Sequence, residues 1–325
     1  MPAFPVADDK IVIRDSTVDT YLTGEIKHAI RWTGDKKKYT DIYYFSNGNI
    51  SEKNNFIDGK KNGVAEFWFF SGSRRAKINY ENDIANGFDS SWHENGKLKT
   101  IRKWENGKLK NLEKEFFESG NLKRIIKYDL NGNKRNEITF FEKGKRESQF
   151  EISKSGEELS RVWNENGKII KKTQMINGLL HGWQKNWYSS GSKQSESYYS
   201  NGKKNGDENT WYINGQKQCA VTFLQNELNS KANCFYENGK PKSSAIYDNG
   251  LAEGNAQSWY ENGSPRSSIH YKEGKQVGTQ IDWFITGQVK TKAYYNSGGT
   301  LDSAFSFTIE GVKKTVDDSS KIIVR

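Results

Sequence analysis

Four prolines, two methionines, two cysteines and four histidines are all that 325 residues contain of those types. So few histidines and cysteines leave little material for a metal centre. The apolar residues (AVILMFWYC) amount to only 34%, and no apolar run approaches the ~18 residues of a membrane-spanning helix. The opening Met1-Pro2-Ala3-Phe4-Pro5 lacks the basic region and apolar stretch of a secretory leader. The chain is therefore expected in the cytosol, or beyond it if a leader has been removed. A low apolar fraction often means disorder, but 10 Trp, 16 Tyr and 17 Phe exclude that here. Thirty glycines complete an aliphatic-poor, aromatic-rich composition that suits thin sheet better than one thick core.

Internal repetition decides the architecture. Glycines recur every 24 residues at Gly24, Gly48, Gly72, Gly96, Gly120 and Gly144. One step of 23 leads to Gly167, and the period resumes through Gly191, Gly215, Gly239, Gly263, Gly287 and Gly311. Four residues before these register glycines stand Trp or Phe in most repeats, as at Trp68, Trp92, Phe116, Trp187, Trp211 and Trp259. Eight residues after them comes a second aromatic, as at Trp32, Phe56, Tyr80, Trp104, Tyr247 and Tyr271. A second turn follows at Gly34, Gly59, Gly107, Gly132, Gly156, Gly178, Gly202, Gly250, Gly274 and Gly298.

Asn-Gly and Ser-Gly pairs supply the positive φ that tight hairpin turns need. Between turns the apolar residues follow strand spacing rather than a helical stripe. Even Asn111–Lys127, the most helix-like stretch, keeps its Glu118-Ser119-Gly120 turn in register and reads as strand. The predicted fold is all-β: an elongated, solenoid-like antiparallel meander of about thirteen 24-residue β-hairpin repeats. At ~4.8 Å per strand this is a ribbon on the order of 120 Å long. Residues 1–19 read as a lead or linker, 20–312 as the repeat domain, and 313–325 as a capping segment with a strand at Lys321–Arg325. A kink or bulge would fall near 144–167, where the period slips by one.

Trp259-Tyr260-Glu261-Asn262-Gly263, Phe235-Tyr236-Glu237-Asn238-Gly239-Lys240 and Tyr199-Ser200-Asn201-Gly202-Lys203-Lys204-Asn205-Gly206 resemble the bacterial MORN-variant repeat. The resemblance covers about residues 20–312 and is strongest from Trp183 to Gly287. It implies a recognition surface. In bacteria such repeats are associated with the antitoxin or immunity member of toxin pairs, and the related eukaryotic repeats with scaffolding and phospholipid contact.

Chemistry has little foothold. His28, His93, His181 and His270 share no repeat position, so they form no column of ligands or bases. No catalytic residue, metal site or cofactor is expected. Cys219 and Cys234 fall almost opposite each other on neighbouring predicted strands. They are either a cross-strand disulfide or two reduced thiols packed in the sheet. An oxidised pair would favour the bacterial periplasm over the cytoplasm.

The candidate binding residues lie in two sets. The first is the column three residues before each register glycine, which alternation places opposite the column at four: Phe117, Phe141, Tyr188, Tyr212, Tyr236, Tyr260 and Phe284. This column is either a second packing layer or an exposed interaction strip. The second is a basic stretch. Residues 101–150 hold 13 Lys+Arg and 8 Asp+Glu, a net +5 out of the chain's +10. From it Lys123, Arg124, Lys127 and Arg135 are candidates to guide an acidic partner or an anionic lipid, or to lie on a solvated surface. No nucleic-acid motif is present, so nucleic acid is not an expected partner. The resemblance makes the expected partner a cognate toxin or effector, a secreted hydrolase for example, covered by a non-enzymatic immunity protein that is monomeric when free. The alternative is a membrane-proximal scaffold that holds anionic phospholipid through basic turns.

Overall fold

The computed structural model describes residues 13–33 and 37–314. It contains 29 strands, from Ile13–Thr20 to Leu301–Ser306, and no helix among the described residues. No helix there is long and apolar enough to cross a membrane. Within each unit the strands run antiparallel to their sequence neighbours, as a succession of hairpins requires. The chain divides into two compact units. One holds the described residues up to Ile152 with Glu165–Gly167, and the other holds Ser153–Asn164 with the described residues from Lys168 onward.

One repeat shows how the local sequence makes the hairpin. The strand Leu251–Trp259 runs into Tyr260, whose carbonyl accepts the Gly263 amide at 2.8 Å. The Tyr260 amide in turn donates to the Ser264 carbonyl at 2.9 Å. Gly263 sits at φ 95°, a conformation that costs a residue with a Cβ about 1–2 kcal/mol. The strand Pro265–Lys272 returns, and Glu273-Gly274 closes the second turn with φ of 51° and 77°. Two central residues at positive φ match the right-handed twist of the strands they join.

Other second turns differ. Asn82-Asp83 and Gln225-Asn226 take positive φ at both residues without any glycine. At the hairpin after Tyr295 the positive φ belongs to Gly299, at 86°, and its amide donates to the Asn296 carbonyl at 3.0 Å. The turn residue there is thus Gly299, not Gly298, because the loop is a longer one. The expected turn at Gly34 lies outside the described residues.

The first strand of a repeat is also less regular than its sequence suggests. Lys60–Lys61 is separated from Gly63–Trp68, Ile84–Ala85 from Gly87–Trp92, and Glu227–Leu228 from Ser230–Phe235. Each break falls at a residue with positive φ: Gly63 at 91°, Gly87 at 96° and Ser230 at 71°. An extra residue inserted there re-aims the strand, as a bulge does.

No thick core forms. Ala29, Ile42, Ala65 and Ile126 in the first unit, and Ala293 in the second, are the buried hydrophobic residues among those described. Most other inward side chains are half-buried, so cohesion comes from cross-strand pairs and ring columns. The strand Ile13–Thr20 starts inside the segment 1–19 assigned to a lead, and pairs with Ile26–Thr33 as the first hairpin. Residues 1–12 and the capping strand expected at 321–325 lie outside the described residues.

Candidate binding faces of the sheet

Lysines and arginines show how the two faces of the sheet are dressed. Two residues after a register glycine, Arg74 lies 5.5 Å from the Trp92 ring, and Lys193 and Lys217 lie 4.7 and 5.8 Å from Trp211. Three residues after it, the cations address a different column. Lys123 stands 5.9 Å from Phe117, Lys242 5.6 Å from Tyr236, Arg266 5.9 Å from Tyr260, and Lys290 5.9 Å from Phe284. Successive residues of a strand point to opposite faces, so the two ring columns are covered from opposite sides. Each such contact contributes about 0.5–1 kcal/mol at an exposed site.

The tyrosines three before the register glycine carry a second contact. Their hydroxyls donate to the backbone carbonyl of the aromatic residue one repeat on. Tyr188 reaches Trp211 at 2.8 Å, Tyr212 reaches Phe235 at 2.9 Å, and Tyr236 and Tyr260 reach Trp259 and Trp283 at 2.8 Å. In the first unit the Tyr21 hydroxyl donates to the Tyr44 carbonyl at 2.8 Å, and the His93 ring Nε2 takes the hydroxyl's place, 3.0 Å from the Phe116 carbonyl. These rings are half-buried and fixed at the spacing of the backbone.

Asparagine repeats the pattern at the turn edge. The Asn95 side chain accepts the Lys97 amide at 3.0 Å and donates to the Glu118 carbonyl at 2.8 Å. Asn214 accepts from Gln216 at 2.9 Å and donates to Glu237 at 3.0 Å. Sequence reasoning assigns Asn to the turn for its conformation, and the structure adds a bond to the next repeat.

The basic candidates of the first unit are met largely by carboxylates. Lys123 bonds Glu115 at 2.8 Å, and Arg124 lies 3.0 Å from Glu115, 3.4 Å from Glu137 and 3.6 Å from Glu113. Arg135 pairs with Asp129 at 3.1 Å, and Lys134 with Glu137 at 2.8 Å. Lys127 is exposed. Burial alone would raise the Glu115 carboxyl, but Lys123 and Arg124 outweigh it and hold it below the usual carboxylate range. Burial, then the hydrogen bond from Tyr128 to Glu113 at 2.7 Å, push the Tyr128 phenol well above its ordinary value. Phe117, Phe141, Lys123 and Arg124 share a cavity of about 390 Å³ with Phe140 and Glu147, so this part of the predicted set does come together.

In the second unit Cys219 and Cys234 stand directly opposite each other, with Cα atoms 4.1 Å apart, and form a disulfide. Cys234 also lines a shallow groove of about 370 Å³ floored by Ala232, Ser243, Ala245, Ala256 and Ser258. Nearby, the cations at Lys242, Arg266 and Lys290 are exposed and pair with no carboxylate among the described residues. A count of charge along the chain passes over this row. Register is the signal that finds it, because each cation follows its glycine by three residues. His28 pairs with Asp41, and His270 lies 2.7 Å from Asn255. Among the described residues no cluster of three His, Cys, Asp or Glu could hold a metal ion.

Three segments, residues 111–130, 229–249 and 252–273, match the family described as MORN repeat variant. No curated protein matches the chain. Among solved structures, the chain is similar to one in "Crystal Structure of TcdB2-TccC3", at 11% identity and a TM-score of 0.17, over 92% of this chain and 20% of that one. The chain thus spans a fifth of the length of that protein.

Proposed function

We propose that this chain is a non-enzymatic binding protein, an immunity protein or antitoxin whose sheet covers the active site of a toxic effector. The observation that carries the reading is the row of rings Tyr188, Tyr212, Tyr236 and Tyr260, each fixed by a hydroxyl bond to the next repeat's backbone. A surface already ordered before contact loses little conformational freedom on association. The match of residues 229–249 and 252–273 to a repeat used for recognition supports the same reading. The Cys219–Cys234 bridge favours an oxidising compartment, the periplasm for a bacterial chain.

The test is affinity capture with the full chain, followed by assay of the captured protein with and without it. One stoichiometric protein whose activity falls as the chain is added is the expected result. Recovery of anionic lipid in place of any protein, with binding lost at moderate salt, would replace this reading with the membrane scaffold.

A further inference from the structure

We propose that the face carrying Lys242, Arg266 and Lys290 binds an extended acidic segment of the partner in polyproline II form, with a carboxylate at every third residue. The proposal rests on the protein-binding reading above and narrows it to one row and one kind of ligand. The three cations occupy the same position in three consecutive repeats, and Lys314 continues that position in the next. All four are exposed. Lys242, Arg266 and Lys290 stand over the rings of Tyr236, Tyr260 and Phe284 at 5.6, 5.9 and 5.9 Å. Each cation thus has an aromatic base beneath it and no described carboxylate beside it.

Charge complementarity selects an anion, and spacing selects its shape. One repeat is two strands, so like positions recur every ~9.6 Å along the sheet. A polyproline II helix has three residues per turn at ~3.1 Å each and repeats a face every ~9.3 Å. An extended strand repeats a face every two residues, roughly 6.7 Å, and falls out of step with the row. The Tyr236 and Tyr260 hydroxyls bond to the Trp259 and Trp283 carbonyls, which holds the ring spacing to that of the backbone. Polyproline II segments also dock well on aromatic surfaces, because they are ordered before binding.

The surroundings set the boundary of the site. Glu237 and Glu261 are exposed at the turn tips, one residue beyond Tyr236 and Tyr260. Their charge repels an acidic ligand from the turn edge and keeps it over the strands.

The experiment is fluorescence anisotropy with the full chain and a labelled peptide of repeated Glu-Pro-Pro units. A peptide of equal composition with its glutamates gathered at one end, an oligo-thymidine, and phosphatidylserine vesicles are run beside it. The repeated peptide is expected to bind at least about tenfold tighter than the gathered one. The triple change Lys242→Gln, Arg266→Gln, Lys290→Gln should remove that preference, with its urea midpoint recorded to show the sheet is intact. Lys193→Gln with Lys217→Gln, on the other face, should leave it. Equal binding of the two peptides, tighter binding of the oligonucleotide or vesicles, or wild-type affinity in the triple variant overturns the proposal. A captured partner that binds the triple variant normally would end this inference and leave the binding role standing. Failure to capture any protein would end the role itself.

Discussion

The Tyr236 hydroxyl donates to the backbone carbonyl oxygen of Trp259, 2.8 Å away and 23 residues further along the chain. Tyr236→Phe removes the donor and keeps the ring, so it should cost about 1 kcal/mol, the net value of one such bond. The converse change is informative as well. Phe117 occupies the same repeat position in the first unit, and Phe117→Tyr should gain a similar amount by reaching the Phe140 carbonyl. Urea unfolding reads both, and a Phe117→Tyr midpoint equal to wild type would show that acceptor to be out of reach.

Ser230 holds φ at 71°, where the corresponding residues of other repeats include Gly63, Gly87 and Gly254. A left-handed conformation costs a residue with a Cβ about 1–2 kcal/mol, partly offset in glycine by its greater freedom when unfolded. Ser230→Gly should therefore stabilise the second unit by up to about 1 kcal/mol, and Ser230→Ala should not. Paired urea melts of the two variants decide this.

Glu115 is held below the usual carboxylate range by Lys123 and Arg124, so protonation opposes folding there. A lowered folded pKa gives stability that is present above the unfolded value of about 4.3, and that is lost as pH falls through the folded value. Lys123 is partly exposed and the pair is screened, which limits the effect to about 1 kcal/mol or less. Wild type should exceed Glu115→Gln in stability at pH 7, and the gap should close in acid. A gap that is unchanged at pH 3 would remove Glu115 from the network.

Cys219 and Cys234 are separated by 15 residues in sequence. Closing a loop of that size stabilises a chain by up to about 3 kcal/mol through the unfolded state. Cys219→Ser should lose this relative to the oxidised protein, and should match wild type once reductant is added. Equal stability of variant and wild type without reductant would show that the thiols are not bridged in solution.

The hairpin schedule was legible because Asn-Gly turns are chemically demanding and occur at a fixed period. Trp259 through Gly263 states its turn outright. Asn82-Asp83 and Gln225-Asn226 were hidden, since neither contains the glycine that marks a left-handed turn. The break at Ser230 was hidden for the same reason. Charge was misleading in a different way. The sum over residues 101–150 gives +5, but a linear sum cannot see that the strands bring Arg124 beside Glu113, Glu115 and Glu137. The row at Lys242, Arg266 and Lys290 was legible only by register, because the three lie 24 residues apart.

The bonds from Tyr236 and Asn95 end on main-chain oxygens and not on side chains. A seam of that kind is indifferent to its neighbour's identity. Duplicating or deleting a whole 24-residue unit leaves donors of this kind facing an acceptor, so a lineage can lengthen or shorten without renegotiating these joints. The residue three after the register glycine is then free to drift. It is Gln194 and Gln218 before it becomes Lys242, Arg266 and Lys290. Such a chain can acquire a new ligand by editing one column while its scaffold is inherited unchanged.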